Sequence, residues 1–308
     1  MSARKISALI KKPGSQSVSE IKSSNSSAEI KDNFGAYVNR LKFFGSDRVA
    51  GAPGAGIQVA MIGRPFDRFE IGGSTGKNSV SPDILQGRSL NPTQGGTAPR
   101  FGYETLGSPV HSLEIYESEA VIEVVPREWN WDLFRDSFTP NPGQTTYHNA
   151  KFSIKIVMLT DTIMQHTATV VAPAEGHWLI EMPAVFTWSD RSTRLWHDKL
   201  GNGKDIEQIP MPGFQEQVPF DMESDSPKGI FFSNGDDYAV GVYAKPGDGI
   251  AALRAWGDTS NGTNTKKLEA SSGAFDGRTA TGNAFILFGK HNDIPAAAST
   301  LFGNWKKS

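Results

Sequence analysis

An all-β fold, a large antiparallel β-sandwich with long loops and a short C-terminal helix, is predicted by three observations. From residue 34 onward the apolar residues alternate or fall into short runs, and they do not recur at helical spacing. The 32 Gly and 18 Pro among 308 residues cut those runs into strand-length pieces. No segment between them has the length and composition of a crossover helix, so consecutive strands are expected to pair antiparallel through turns.

Residues 1–33 read as a flexible N-terminal tail. Ser7 to Lys12 is stopped by Pro13 and Gly14, and the stretch to Lys31 is rich in Ser, Lys and Glu with few large apolar groups. The sandwich domain is expected to span 34–308. Its strands are expected at Ala36–Phe44, Gly56–Ile62, His111–Val125, Ala150–Val171, His177–Trp188, Gly229–Ser233, Asp237–Ala244, Ile250–Trp256 and Asn283–Gly289. Residues 150–171 exceed one ordinary strand, and Thr160-Asp161-Thr162 marks a hairpin or bulge within them. Asn234-Gly235 between two apolar runs is a hairpin turn, because both residues accept positive φ. Phe66–Gly107 and Ser189–Pro227 read as long loops. Ile294–Trp305, with Ala296, Ala297 and Ala298, reads as the C-terminal helix, packing Leu301, Phe302 and Trp305 onto a sheet.

Composition narrows the chemistry. Lys plus Arg total 31 against 33 Asp plus Glu, a net charge of −2, which supplies no electrostatic reason to expect nucleic acid or an anionic membrane as partner. The absence of Cys excludes disulfides, thiolate catalysis and Cys-ligated metals. No run of about 18 apolar residues is present, so no membrane insertion is expected. The histidines, at 111, 148, 166, 177, 197 and 291, lack HxH or HExxH spacing, and no metal or other cofactor is implied. Gly51–Gly56 lacks the Lys-Ser/Thr of a phosphate loop, and no GxSxG elbow occurs.

Glu181 is the acidic residue whose surroundings solvation explains least. It lies between Trp178-Leu179-Ile180 and Met182-Pro183-Ala184-Val185-Phe186, where desolvation raises a carboxyl pKa toward general acid or base work. Period 2 puts His177 on the same side of a strand, making His177 and Glu181 the candidate acid–base pair. Arg191, just downstream, is the candidate electrostatic partner of a uronate. Asn91 and Gln94 in an Asn-Pro-Thr-Gln-Gly-Gly turn, with Gln58 and His111, offer the paired donors and acceptors that read sugar hydroxyls. Trp129, Trp131 and Trp188 are candidate stacking platforms for sugar rings.

The segments GIQVA (56–60), NPTQGG (91–96), EMPAVFTW (181–188) and DYAVGVYAKPGDGI (237–250) resemble, in order and spacing, those of a loose group of bacterial β-sandwich proteins. That group is of the galactose-mutarotase-like type associated with polysaccharide utilisation. Residue by residue the resemblance implies roles for Gln58, Asn91, Gln94 and Glu181. It departs where Gly56 replaces an Arg and Ile180 a Gln. The function it implies is carbohydrate recognition, of a polysaccharide or other glycan, extending to cleavage by hydrolysis or elimination. The alternative is a non-catalytic structural or interaction protein of a virion or cell surface. The location favoured by this reading is secreted or periplasmic, although no signal peptide is visible. No residue pattern specifies an oligomeric state.

Overall fold

The computed structural model describes residues 4–6, 18–31, 37–49, 56–64, 89–90, 110–124, 128–129, 151–214, 216–222, 225–258 and 265–305, with backbone alone for 4–6, 60–64, 89–90, 128–129, 173–179 and 273–277. The early strands are β1 (Arg4–Ile6), β2 (Val18–Lys22), β3 (Ser26–Lys31), β4 (Val38–Phe43), β5 (Ser46–Asp47), β6 (Ile57–Arg64) and β7 (Ser89–Leu90). The middle of the chain holds β8 (Val110–Ile115), β9 (Glu119–Val124), β10 (Glu128–Trp129), β11 (Lys151–Met158) and β12 (Ile163–Trp188). Then come β13 (Arg194–Asp198), β14 (Ile206–Ile209), β15 (Gln217–Asp221), β16 (Lys228–Ser233), β17 (Ala239–Ala244), β18 (Ala252–Trp256), β19 (Thr265–Gly289) and helix α1 (Asp293–Phe302).

Two of these strands organise the rest. β12 has 26 residues and β19 has 25, and they pair antiparallel from Ile163–Leu287 to Trp188–Thr265. Drawn straight, each would reach roughly 80 Å, several times an ordinary strand. Register shifts at Val171/Gly176, Leu179/Glu181 and Glu181/Ala184 break the regularity, and such bulges are where strands bend. The ribbon therefore belongs to both layers of a sandwich. Its first part, around Ile163–Val171, continues one sheet through β11, β9, β8 and β1 on one side and β17, β16, β13 and β14 on the other. Its second part, around His177–Trp188, continues the other sheet through β6, β4, β3 and β2 on one side and β18 and β15 on the other. All described pairings are antiparallel, as expected.

The main core lies between the sheets. Ile21, Ile30, Leu41, Ile57, Leu253 and Leu268 from the second sheet share one buried cluster with Ile122, Phe152, Ile154, Met164 and Phe288 from the first. α1 covers part of the outer side of the first sheet, where Ile294, Ala298 and Phe302 pack with Phe231, Tyr243, Phe285 and Leu287. Tyr243 lies across Gly229, where an added Cβ would fall 2.0 Å from its ring, so no side chain fits there.

The turn at Thr160–Thr162 is a hairpin between β11 and β12, and the Asn234 turn joins β16 to β17, with the Asn234 Oδ1 accepting from the amides of Asp236 and Tyr238. Three expectations are corrected. Residues 18–31, expected within the tail, form a hairpin whose Ser26, Ala28 and Ile30 alternate inward, with Ala28 and Ile30 in the main core. The small Ser side chains hid this alternation. Ser189–Pro227, expected as loop, contains the short strands β13, β14 and β15, of which only β13 carries buried residues. The last sheet segment, expected from Asn283, begins at Thr265.

Because Ile30 is fully buried, Ile30→Ala should cost about 2–4 kcal/mol in urea unfolding. A loss below about 0.5 kcal/mol would mean that residues 18–31 do not contribute to the folded domain.

Candidate functional site

The second sheet turns alternate residues of β12, β18 and β19 away from the core, and polar groups concentrate there. Ile180, Val185, Leu253, Ala255, Leu268 and Ala270 point inward, which sends Glu181, Arg254, Trp256, Lys267 and Glu269 to the outer face. Register places them side by side: Lys267 is opposite Trp256 and Phe186, Glu269 is opposite Arg254 and Ala184, and Glu181 is opposite Ser271 and Ala60. Gln58 on β6 lies opposite Ala184, so it joins the same face one row from Glu181.

Contacts follow from that lattice. The Lys267 Nζ donates to Glu181 Oε1 at 3.0 Å and to Glu269 Oε2 at 2.8 Å. Arg254 Nη1 donates to Glu269 Oε1 at 3.0 Å, and the Trp256 Nε1 donates to Glu269 Oε2 at 2.8 Å. The Lys267 ammonium sits 4.5 Å from the centre of the Trp256 ring, within cation–π range. Side-chain exposure is 0% for Glu269, 12% each for Glu181 and Lys267, and 20% for Arg254. Glu269 is thus sealed by three donors, while Glu181 has Lys267 as its one described cationic donor and the Glu269 carboxyl beside it.

The two carboxyls respond oppositely. Burial, reinforced by the neighbouring Glu269 charge, pushes Glu181 up to about 7 against the pull of Lys267. Glu269 is also desolvated, yet Lys267 and Arg254 hold it below the ordinary carboxylate range. Lys267, between two carboxyls, is pushed up despite burial. Environments that separate two titratable groups in this way divide their roles. Glu181 exchanges a proton near neutrality, Glu269 is a fixed charge, and Lys267 is a permanent cation.

Of the residues singled out in the sequence, Glu181 and Gln58 share this face. His177 lies four residues along β12, its backbone opposite Arg64 and Asp276, and its side chain falls outside the described residues. Arg191 does not meet Glu181. It follows the far end of β12, with its guanidinium 4.7 Å from the Trp188 ring, roughly 20 Å along the strand by residue count. Lys267 is the cation that Glu181 actually holds. Trp188 is half-buried and edge-on to Tyr238, with ring centres 6.5 Å apart. His111 is exposed on β8 in the other sheet, beside a register shift. Trp129 lies on β10 opposite Ser89, described by backbone alone. Asn91, Gln94 and Trp131 lie outside the described residues. Among the described residues no group of three or more acidic or histidine side chains forms a metal cluster. No helix among them is long and apolar enough to cross a membrane.

The residues that sequence reading missed are Arg254, Lys267 and Glu269. A signal existed: Arg254-Ala-Trp256 and Lys267-Leu-Glu269 are both spaced by two, which puts each pair on one side of a strand.

No family model matches this chain, and no curated protein sequence does. Solved structures do match. A protein from Klebsiella pneumoniae provisionally named an aldose 1-epimerase superposes with a TM-score of 0.53 at 9% identity, over 99% of this chain and 88% of its own. The chain shares the β-sandwich fold of that protein. The Slr1438 protein of Synechocystis superposes with a TM-score of 0.50 at 11% identity, over 93% of this chain and 100% of its own.

Two measurements check the electrostatics. Glu181 has a folded pKa above its unfolded value, so its favourable contribution is complete below pH 4.5 and is lost as pH rises toward 7. Glu181→Gln should remove that loss: between pH 5 and 8 the wild-type stability falls relative to the variant, by up to about 3 kcal/mol. Parallel slopes would contradict the assignment. Lys267→Met leaves Glu181 without its described cation and Glu269 with the Arg254 and Trp256 donors, and should cost about 3–5 kcal/mol in denaturant unfolding at pH 7.

Proposed function

We propose that this protein recognises a carbohydrate on the outer face of the second sheet, with Glu181 giving a proton to a glycosidic oxygen or taking one from a ring carbon or hydroxyl. The observation that carries this reading is a nearly buried carboxyl, Glu181, held 3.0 Å from the Lys267 ammonium that lies over Trp256, on a face that also contains the buried amide of Gln58; burial pushes Glu181 up to about 7. Proton transfer is most effective when the catalytic pKa lies near working pH, and amide, carboxyl and indole groups together suit hydroxyl-rich rings. The fold adds support at a distance, since the Klebsiella protein that shares it carries the name of a sugar epimerase. A polysaccharide is the substrate class we favour, with hydrolysis or elimination as the chemistry beyond binding. The Glu181 and Glu269 oxygens that meet at one Nζ lie at 3.0 and 2.8 Å from it. They are therefore too close to flank the water of a two-carboxylate inverting hydrolysis, which needs about 6.5–9.5 Å. Sealed Glu269 is also not available as a nucleophile, so among the described residues of this face Glu181 is the proton-transfer group.

A glycan array, with reducing-end and unsaturated-uronate assays over a polysaccharide panel, tests this directly. Binding is expected, and Glu181→Gln should abolish turnover or weaken binding while the melting temperature stays within a few degrees, because the isostere keeps its packing and Glu269 keeps Lys267 paired. Silence of the wild type in every assay would overturn the proposal in favour of a structural or interaction protein. A fully active Glu181→Gln would remove Glu181 from the site.

A further inference from the structure

The four polar groups on the second sheet do not hold one another equally, and the inequality selects a ligand. Both Glu269 oxygens are occupied, Oε1 by Arg254 and Oε2 by Trp256 and Lys267. Glu181 has one described cationic donor, the same Lys267 Nζ, and its other described side-chain neighbour is the Glu269 carboxyl, which repels its charge. Of the two carboxyls on Lys267, only Glu181 can let go without stripping a buried charge of its donors. We infer that the ligand of this face is an acidic saccharide, a uronate or sulfate ester, whose anionic group takes the place of the Glu181 carboxylate on Lys267 as Glu181 accepts a proton. The inference rests on the carbohydrate reading above and narrows its substrate class.

The charge count agrees. With Glu181 ionised, Lys267 and Arg254 balance Glu181 and Glu269. With Glu181 neutral, one positive charge is left over, and a ligand anion restores the balance without leaving an unpaired buried charge. An incoming anion also disfavours the Glu181 carboxylate by like-charge repulsion, so binding and proton uptake promote each other. The proton moves from solvent to a Glu181 oxygen, and no other bond is made or broken. Among the described residues the charged groups that face Glu181 are Lys267 and Glu269 on β19, with Arg254 on β18 behind Glu269. On β6 its described neighbours across the register, Ala60 and Gln58, carry no charge. Lys267 and Glu269 keep their charges through neutrality, which leaves Glu181 to carry the linkage.

Calorimetric titration of the full-length protein with oligogalacturonate, heparin-derived oligosaccharides and their neutral counterparts tests this. Acidic ligands should bind with uptake of close to one proton, read from the dependence of enthalpy on buffer ionisation, and their affinity should fall about tenfold per pH unit above the Glu181 transition. Glu181→Gln should bind the acidic ligands without proton uptake and with little pH dependence, and Lys267→Met should lose them. Since Lys267→Met also weakens the fold, Lys267→Gln, checked for folding by circular dichroism, serves as the second variant. Binding of neutral glycans alone, or of acidic ones without proton uptake, would overturn the inference and leave the carbohydrate reading intact. Absence of all glycan binding would overturn both.

Discussion

The pairing of β12 with β19 is the constraint on which the rest of the molecule depends. Each strand donates one part to either sheet, so the two layers are one continuous hydrogen-bonded fabric that folds over a shared core. An ordinary sandwich holds its layers together by side-chain packing across the core. Here the backbone does so as well. The bends that make this possible fall at the register shifts between Val171 and Ala184, and Glu181 stands between two of them. Bulges re-aim side chains, and this one sets a carboxyl that period 2 would place in a regular row into contact with Lys267.

Glu181 was legible from sequence because a charge inside an apolar run needs an explanation that local chemistry does not supply. Its partners were not legible in the same way. Lys267 and Glu269 lie in Thr-Lys-Lys-Leu-Glu-Ala-Ser-Ser, which has the composition of a solvated segment, and the ladder to β12 that buries them spans more than eighty residues of chain. The hydrophobic strands were found by alternation, whereas β2 and β3 were missed because Ser26 and Ala28 occupy inward positions that larger residues usually mark. Arg191 illustrates the opposite error. Sequence proximity to Glu181 suggested a partnership, but an extended strand carries neighbours apart at over 3 Å per residue, and Arg191 ends against Trp188.

The polar cluster on the second sheet is not something the fold requires. Charges removed from water repay little of their desolvation even when well paired, and apolar residues of similar volume commonly serve stability as well or better. What the cluster provides is a difference in proton affinity between two adjacent carboxyls, created by an uneven distribution of donors. Arg254 and Trp256 both serve Glu269, and nothing equivalent serves Glu181 among the described contacts. The acidity of Glu181 is thus set by its burial and by the uneven sharing of Lys267 with Glu269.

The ribbon also governs how the chain reaches its native state. Ile163 meets Leu287, and Trp188 meets Thr265, only after chain spanning sequence separations of 77 to 124 has been closed into a loop. Contacts so remote in sequence cost loop-closure entropy before they return any stabilisation, and they slow folding accordingly. Until β19 is made, β12 exposes one long edge in both layers, the kind of surface on which strands of other chains add. The same pairing that joins the two layers makes the last third of the chain indispensable to the middle one.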